Sequence, residues 1–277
     1  MKSGIVIGHN AGLGDMIIMN GAIRYLATKY DEVHVITWAH NAPHINFVYR
    51  DCENIRPYFM PPPKSTRQAI LRMHAGYQRI VELNPHISFE PYKQYYYSSR
   101  HHWHNLITQL NLPSDIIWPR MFYHILQVPY EKRYSEFNIT RDHAREDDLL
   151  KKLNLPEKYA FACDNISSHR YNIKKWETSL PIINPDDFNQ GYGPLLGDSL
   201  IFDWRKVIEN ASEIHTVDTC WLHLARMARL QIPTKKYYKV RKVRLSSSPD
   251  YLNDEYDSGW SIVVPKRDNY TSRPQDK

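Results

Sequence analysis

The chain has 277 residues, 42% hydrophobic and 13% aromatic, and its 36 basic against 30 acidic side chains leave a net charge of +6. Such a composition excludes a disordered chain and suits one large domain or two ordinary ones. Three scattered cysteines, Cys52, Cys163 and Cys220, form no CxxC pair and so exclude a disulfide framework or cysteine zinc site.

The modest basic excess suits an anionic ligand and is too small and dispersed for nucleic acid. No apolar run approaches the ~18 residues of a membrane span, and the N-terminal apolar run is too short for a signal peptide. A cytoplasmic protein is therefore expected.

In chain order, "GIVIG" (4–8) predicts a buried strand. In "DMIIMNGAIRYLATKY" (15–30), Ile17, Ile18, Gly21, Ala22 and Tyr25 fall at i, i+3, i+4, i+7 spacing and predict an amphipathic helix with Asp15 near its N-cap. Strands follow at 32–38 and 54–60, and a Ser-capped helix at 65–83. This βαβ rhythm predicts a parallel sheet. A helix beginning near Ser98 or Ser99 is expected within 92–110.

A polar, Tyr-rich stretch (130–140) then precedes a charged helix and a strand at 159–163, which places a domain boundary near residue 138. The second half predicts a helix at 202–211, a strand at 213–218, a helix at 219–230 and a strand at 235–240. The resulting domains are 1–138 and 139–245. Residues 246–277 read as a loose segment packing back on the first domain, with one strand at 261–264.

Three stretches carry possible chemistry. "GHNAGLGDM" (8–16) joins a strand to a helix through glycines, where α/β proteins hold phosphates. Its spacing fits neither a dinucleotide fingerprint nor a Walker loop, which disfavours an NAD-dependent oxidoreductase. What remains is a turn of Gly12, Leu13 and Gly14 that turns Asp15 toward a crevice, where a carboxylate can accept a hydroxyl proton. Capping of the helix is the simpler role for the same side chain.

"SSHRYNIKKW" (167–176) reads as a loop whose Arg170, Lys174 and Lys175 could neutralise a diphosphate. "EIHTVDTCWLHLARMARL" (213–230) reads as strand, turn and helix. There the N–H groups of Thr219, Cys220 and Trp221 could hold phosphate, and Asp218 could accept from a sugar hydroxyl. His223 stands one turn in, where a packed polar role is the alternative. His101 and His104 in "SSRHHWH" lack a further metal ligand. Basic "KKYYKVRKVR" (235–244) reads as a solvated edge strand.

Together these residues resemble the heptosyltransferase family, inverting glycosyltransferases of the GT-B fold, over 1–40 and 140–240. "GLGDMIIMNGAIRYL" is similar to that family's GxGD opening and implies Asp15 as catalytic base. "IKKW" matches its KxW segment and implies that Lys174 binds the donor diphosphate, with Arg170 and Lys175 assisting. "VDTCWLHLARMA" resembles its DTGxxHLA turn at Asp218, Thr219 and His223, with Cys220 and Trp221 where the family has glycine and its neighbour.

The fold implied is α/β, two Rossmann-like domains facing across a cleft, with 1–138 on the acceptor side and 139–245 on the donor side. The activity implied is inverting transfer from a nucleotide-diphosphate sugar to a hydroxyl of a glycan or related acceptor. The nucleotide sugar is substrate, and no separate cofactor is expected. No Asp-x-Asp pair occurs in the chain, so a metal-independent reaction is expected. A nucleotide-sugar epimerase and a non-catalytic sugar-nucleotide or glycan-binding protein of the same fold are the alternatives.

Overall fold

The computed structural model describes residues 1–9, 12–91, 93–95, 118–166, 169–188, 199–240, 259–266 and 270–274. The chain divides into two compact units, Met1–Thr140 and Arg141–Lys277. The helix expected near Ser98 or Ser99 lies outside the described residues, as do His101 and His104.

The first unit is built on a parallel sheet of β1 (Lys2–His9), β2 (Glu32–Trp38), β3 (Ile55–Met60), β4 (Ile87–Phe89) and β5 (Lys93–Tyr95). The order is β3-β2-β1-β4, with β5 pairing β1 beyond β4. Ile5 lies opposite Val33 and Val33 opposite Ile55, so β-branched residues line adjacent strands and pack well on a pleated surface.

The helices of this unit are α1 (Leu13–Ala27), α2 (Ala42–Tyr49), α3 (Thr66–Leu83), α4 (Trp118–Ile125) and α5 (Lys132–Ser135). The Ser65 hydroxyl caps α3 by accepting from the Gln68 N–H at 3.2 Å, as the sequence led one to expect.

Helix α1 departs from its expected amphipathic form. Met16 through Ile23 and Leu26 are all buried, and a helix apolar all round belongs in a core. Its outer side is covered by α4 and α5. The Tyr123 hydroxyl donates to the Ile18 carbonyl at 2.9 Å, and a Cβ built on Gly21 would stand 2.3 Å from the Lys132 carbonyl oxygen. Only glycine allows that approach. The covering helices come from a stretch the sequence left unassigned, which is why one exposed face was expected.

The second unit holds a parallel sheet in the order β12-β11-β10-β6-β9. Its strands are β6 (Ala160–Cys163), β9 (Ile182–Ile183), β10 (Glu213–Thr216), β11 (Thr234–Tyr238) and β12 (Trp260–Val263). A second, antiparallel sheet joins β7 (Asn165–Ile166), β8 (His169–Ile173) and β13 (Tyr270–Pro274) in the order β13-β8-β7. Around them lie α6 (His143–Leu153), α7 (Arg205–Glu209) and α8 (Cys220–Met227).

The Asp142 carboxylate caps α6 through the Arg145 N–H at 3.1 Å. Arg145 then clasps buried Asp203 with two hydrogen bonds of 2.9 and 2.7 Å, a forked geometry that lysine could not reproduce. Trp204 packs edge-on against Phe161 and Trp221 and anchors this core.

Three expectations change here. The stretch 169–173 is a strand and not a loop, because β8 pairs on both sides, with β7 and with β13. Strand β11 is interior, since β12 covers its far side. The described parts of the terminal segment are not a loose return to the first unit. They supply β12 and β13 to the second unit's sheets, with Trp260 buried where β12 begins.

Candidate functional site

The candidate residues fall on two structures, one in each unit. In the first, β1 ends at His9 and α1 begins after an extended Gly12 (φ −77°, ψ 174°). Leu13 and Gly14 form the first helical turn, and all three residues of the turn are half-buried. Asp15 follows on that turn, and its Oδ2 accepts from the Gly12 N–H at 3.1 Å. This is the acidic half of a capping box; glycine has no side chain to return the bond. The carboxylate thus sits over the first turn of the helix, at the end where its unpaired N–H groups lie.

His9 was missed by the sequence analysis. Its ring is fully buried, lies against Phe122 with centroids 6.5 Å apart, and neither nitrogen has a hydrogen-bond partner among the described residues. Burial drives it down to about 3, opposed weakly by its own carbonyl, which lies outside hydrogen-bonding geometry. The imidazole is therefore neutral at any ordinary pH. Its one sequence signal is a titratable residue closing an otherwise apolar strand, directly before the glycine turn.

In the second unit, β10 leads through Val217 and Asp218 into α8. The N-cap is Thr219, whose hydroxyl accepts from the Trp221 N–H at 3.0 Å. That bond uses one of the three N–H groups expected to meet phosphate, so the Trp221 amide is already engaged. The Trp221 side chain is buried against Phe161 and Trp204 and belongs to the core. Burial pushes the Cys220 thiol up to about 11, with the Thr219 hydroxyl opposing, which keeps it neutral and unreactive. His223 lies one turn into α8 with its Nε2 3.4 Å from Asp218 Oδ1. The two residues expected to touch sugar are therefore neighbours.

Lys174 and Lys175 follow directly after β8 and are exposed. Arg170 lies within β8 opposite Asn165 and Arg273, and its side chain is outside the described residues. The residues flanking the lysines, Ile173 and Trp176, share a hydrophobic cluster with Val217, which immediately precedes Asp218. One cluster thus holds the base of the lysine turn and the base of the Asp218–Thr219 turn. A further residue missed in the sequence, buried Asp164, accepts from the Ile173 N–H at 2.9 Å and fixes the end of β8 where the lysines begin.

Among the described residues, no three His, Cys, Asp or Glu side chains gather as a metal ion would require. No helix among them is long and apolar enough to cross a membrane.

Two α/β units, each with a parallel sheet and a strand–turn–helix carrying an acidic residue, define a two-domain Rossmann-like protein. No family model matches the sequence, and no curated protein matches it. Solved structures do. The chain is similar to a glycosyl transferase of family 9 from Veillonella parvula, at 12% identity and TM-score 0.54, over 95% of this chain and 86% of that one. It is also similar to the iron-containing dodecameric glycosyltransferase TibC of enterotoxigenic E. coli, at 11% identity and TM-score 0.51. There the match covers 96% of this chain and 63% of that one. The fold is therefore the α/β fold of GT-B class that the motifs led one to expect.

Proposed function

We propose that the protein is an inverting, metal-independent glycosyltransferase that moves a sugar from a nucleoside-diphosphate sugar to a hydroxyl of a glycan or related acceptor. The observation that carries this reading is the pairing of Asp218 with His223 at the capped start of α8, in a chain whose fold is that of glycosyltransferases. Helix starts are natural seats for phosphate. A carboxylate beside one can accept from sugar hydroxyls.

In this reading Asp15 takes the proton of the acceptor hydroxyl as its oxygen attacks the anomeric carbon. The bond to the diphosphate breaks, and the negative charge developing there is met by Lys174 and Lys175, with Arg170 assisting. The Thr219 and Cys220 amides would meet the same phosphates. Asp218 and His223 orient the donor sugar. Fixed donors aimed at developing charge are commonly worth about 3–4 kcal/mol each. General-base catalysis adds about 10²–10⁴-fold.

The test is incubation of the full chain with a panel of nucleotide sugars, with release of nucleoside diphosphate and glycosylated product both followed. Transfer that survives chelation of divalent cations and is lost in Asp15→Asn supports the reading. Interconverted free nucleotide sugars would instead indicate an epimerase. Tight nucleotide-sugar binding with no turnover on any acceptor would indicate a binding protein.

A further inference from the structure

A chain of hydrogen-bonded polar groups, buried at His215 and Tyr238 and half-buried at Glu213, lies directly behind the lysine turn. His215 in β10 is fully buried. Its Nε2 is 2.7 Å from Glu213 Oε2 and its Nδ1 2.9 Å from the Tyr238 hydroxyl. The Tyr238 oxygen in turn accepts from the Glu177 N–H at 2.8 Å.

These contacts fix the protons. The Glu213 carboxylate can only accept, so Nε2 carries the imidazole proton toward it; Nδ1 of the neutral ring is then an acceptor and takes the proton of the Tyr238 hydroxyl, whose oxygen accepts from Glu177. The opposite tautomer would set a lone pair against the Glu213 oxygen. Every group in the chain is satisfied in one arrangement only.

The same strands hold the turn at further points. The Lys236 ammonium donates to the Glu177 carbonyl at 2.6 Å, and the Thr178 hydroxyl bonds Glu213. Trp176 lies edge-on to Tyr238 with centroids 4.8 Å apart and to His215 at 5.9 Å. Residues 176–178 are thus fastened to the sheet, whereas Lys174 and Lys175, just before them, stand exposed.

We propose that Glu213, His215 and Tyr238 act together as a positioning device, clamping the 176–178 turn so that Lys174 and Lys175 are set to receive a nucleoside diphosphate only while His215 is neutral. The ligand in this statement rests on the functional reading above; the clamp stands on its own geometry.

The groups facing His215 are Glu213 on its own strand, Lys236 and Tyr238 on β11, and Glu177 on the turn. Burial lowers its proton affinity first, Glu213 opposes, Lys236 lowers it further and Glu177 opposes again. Protonation would place an N–H on Nδ1 against the tyrosine O–H and leave that buried proton without an acceptor. A buried donor without its partner is costly.

The experiment uses the full chain as wild type, Tyr238→Phe and His215→Gln, with Tyr159→Phe as control. Tyr159 is also in the second unit, and its buried hydroxyl donates to the Val207 carbonyl at 2.5 Å, so the control removes a comparable bond elsewhere. Three quantities are read: the His215 tautomer by nitrogen NMR, amide exchange at Glu177, and affinity for ADP, GDP and UDP across pH. The expected results are the Nε2–H tautomer, and ~10-fold faster Glu177 exchange with ~10-fold weaker nucleotide binding in Tyr238→Phe, the scale of one lost hydrogen bond. The control should change neither. The gap in affinity between wild type and Tyr238→Phe should narrow as pH falls below 6.5.

An Nδ1–H tautomer, or Glu177 exchange equal in wild type and Tyr238→Phe, overturns the clamp. Faster exchange with unchanged affinity overturns its link to the lysines. A wild-type chain that binds none of the three nucleotides overturns the functional reading and the ligand named here, while lost protection of Glu177 would still support the clamp.

Discussion

Asp15 holds the start of α1 and, in the proposed reaction, also takes the acceptor's proton. These two roles separate on substitution. Asp15→Asn keeps an oxygen for the Gly12 N–H and loses the basic carboxylate. Its stability should fall by no more than ~1 kcal/mol, and sugar transfer by at least ~10²; thermal melting and initial rates measure the two. Lys174→Ala and Lys175→Ala remove exposed charge, so their unfolding free energies in urea should stay within ~0.5 kcal/mol of wild type while nucleotide affinity drops. Unchanged affinity in the double variant would refute diphosphate binding there. At this scale the sequence was legible for the placement of residues where the signal is local: Asp15, Asp218, Thr219 and His223 each sit at a strand–turn–helix junction. It failed where a neighbour already uses the group, as the Thr219 hydroxyl uses the Trp221 amide. It failed again where burial alone makes the residue notable, as for His9 and Asp164.

Among elements, α1 is the most constrained. An alanine in place of glycine normally favours a helix by ~1 kcal/mol. At Gly21 the sign should reverse, because the added methyl meets a backbone carbonyl at 2.3 Å and α5 must be displaced. Gly21→Ala is expected to lose ~1–3 kcal/mol, read from the urea midpoint; a stabilised variant would show that the packing of α1 on α5 is wrong. Strands β1 and β2 were legible because short β-branched runs between breakers specify little else. Strand β8 was not. "HRYNI" carries polar residues that look like a loop until its pairing partner, β13, is known to lie about a hundred residues away.

For the whole molecule the histidines set the response to acid. His9, His34, His40 and His215 are all held below their ordinary value, first by burial. Each is neutral when folded and binds a proton more readily when unfolded. Their contribution to stability is therefore complete above pH 6.5 and is lost as pH falls from there toward the folded value. For His9, lowered to about 3, the loss at pH 5 amounts to about 2 kcal/mol. The carboxylates Asp31, Asp51 and Glu213 are held low and add their loss only below about pH 4. Unfolding at pH 7.5 and 5.0 should show the first effect, and His9→Leu should flatten it; a pH-independent midpoint over that range would contradict the burial of these rings. The two-unit architecture was legible in the sequence from its repeated βα rhythm. The terminal strands β12 and β13 were not, because each gains its meaning only from a distant partner.

One consequence reaches back to the enclosed helix. Because α1 is wedged between a sheet and two further helices, the backbone that carries its leading carboxylate is held by the hydrophobic interior. In the proposed reaction the alignment of Asp15 should thus be governed by methyl groups as much as by charges. If Asp15 is the base proposed above, trimming Ile18 or Ile23 ought to slow sugar transfer while leaving nucleotide affinity unchanged.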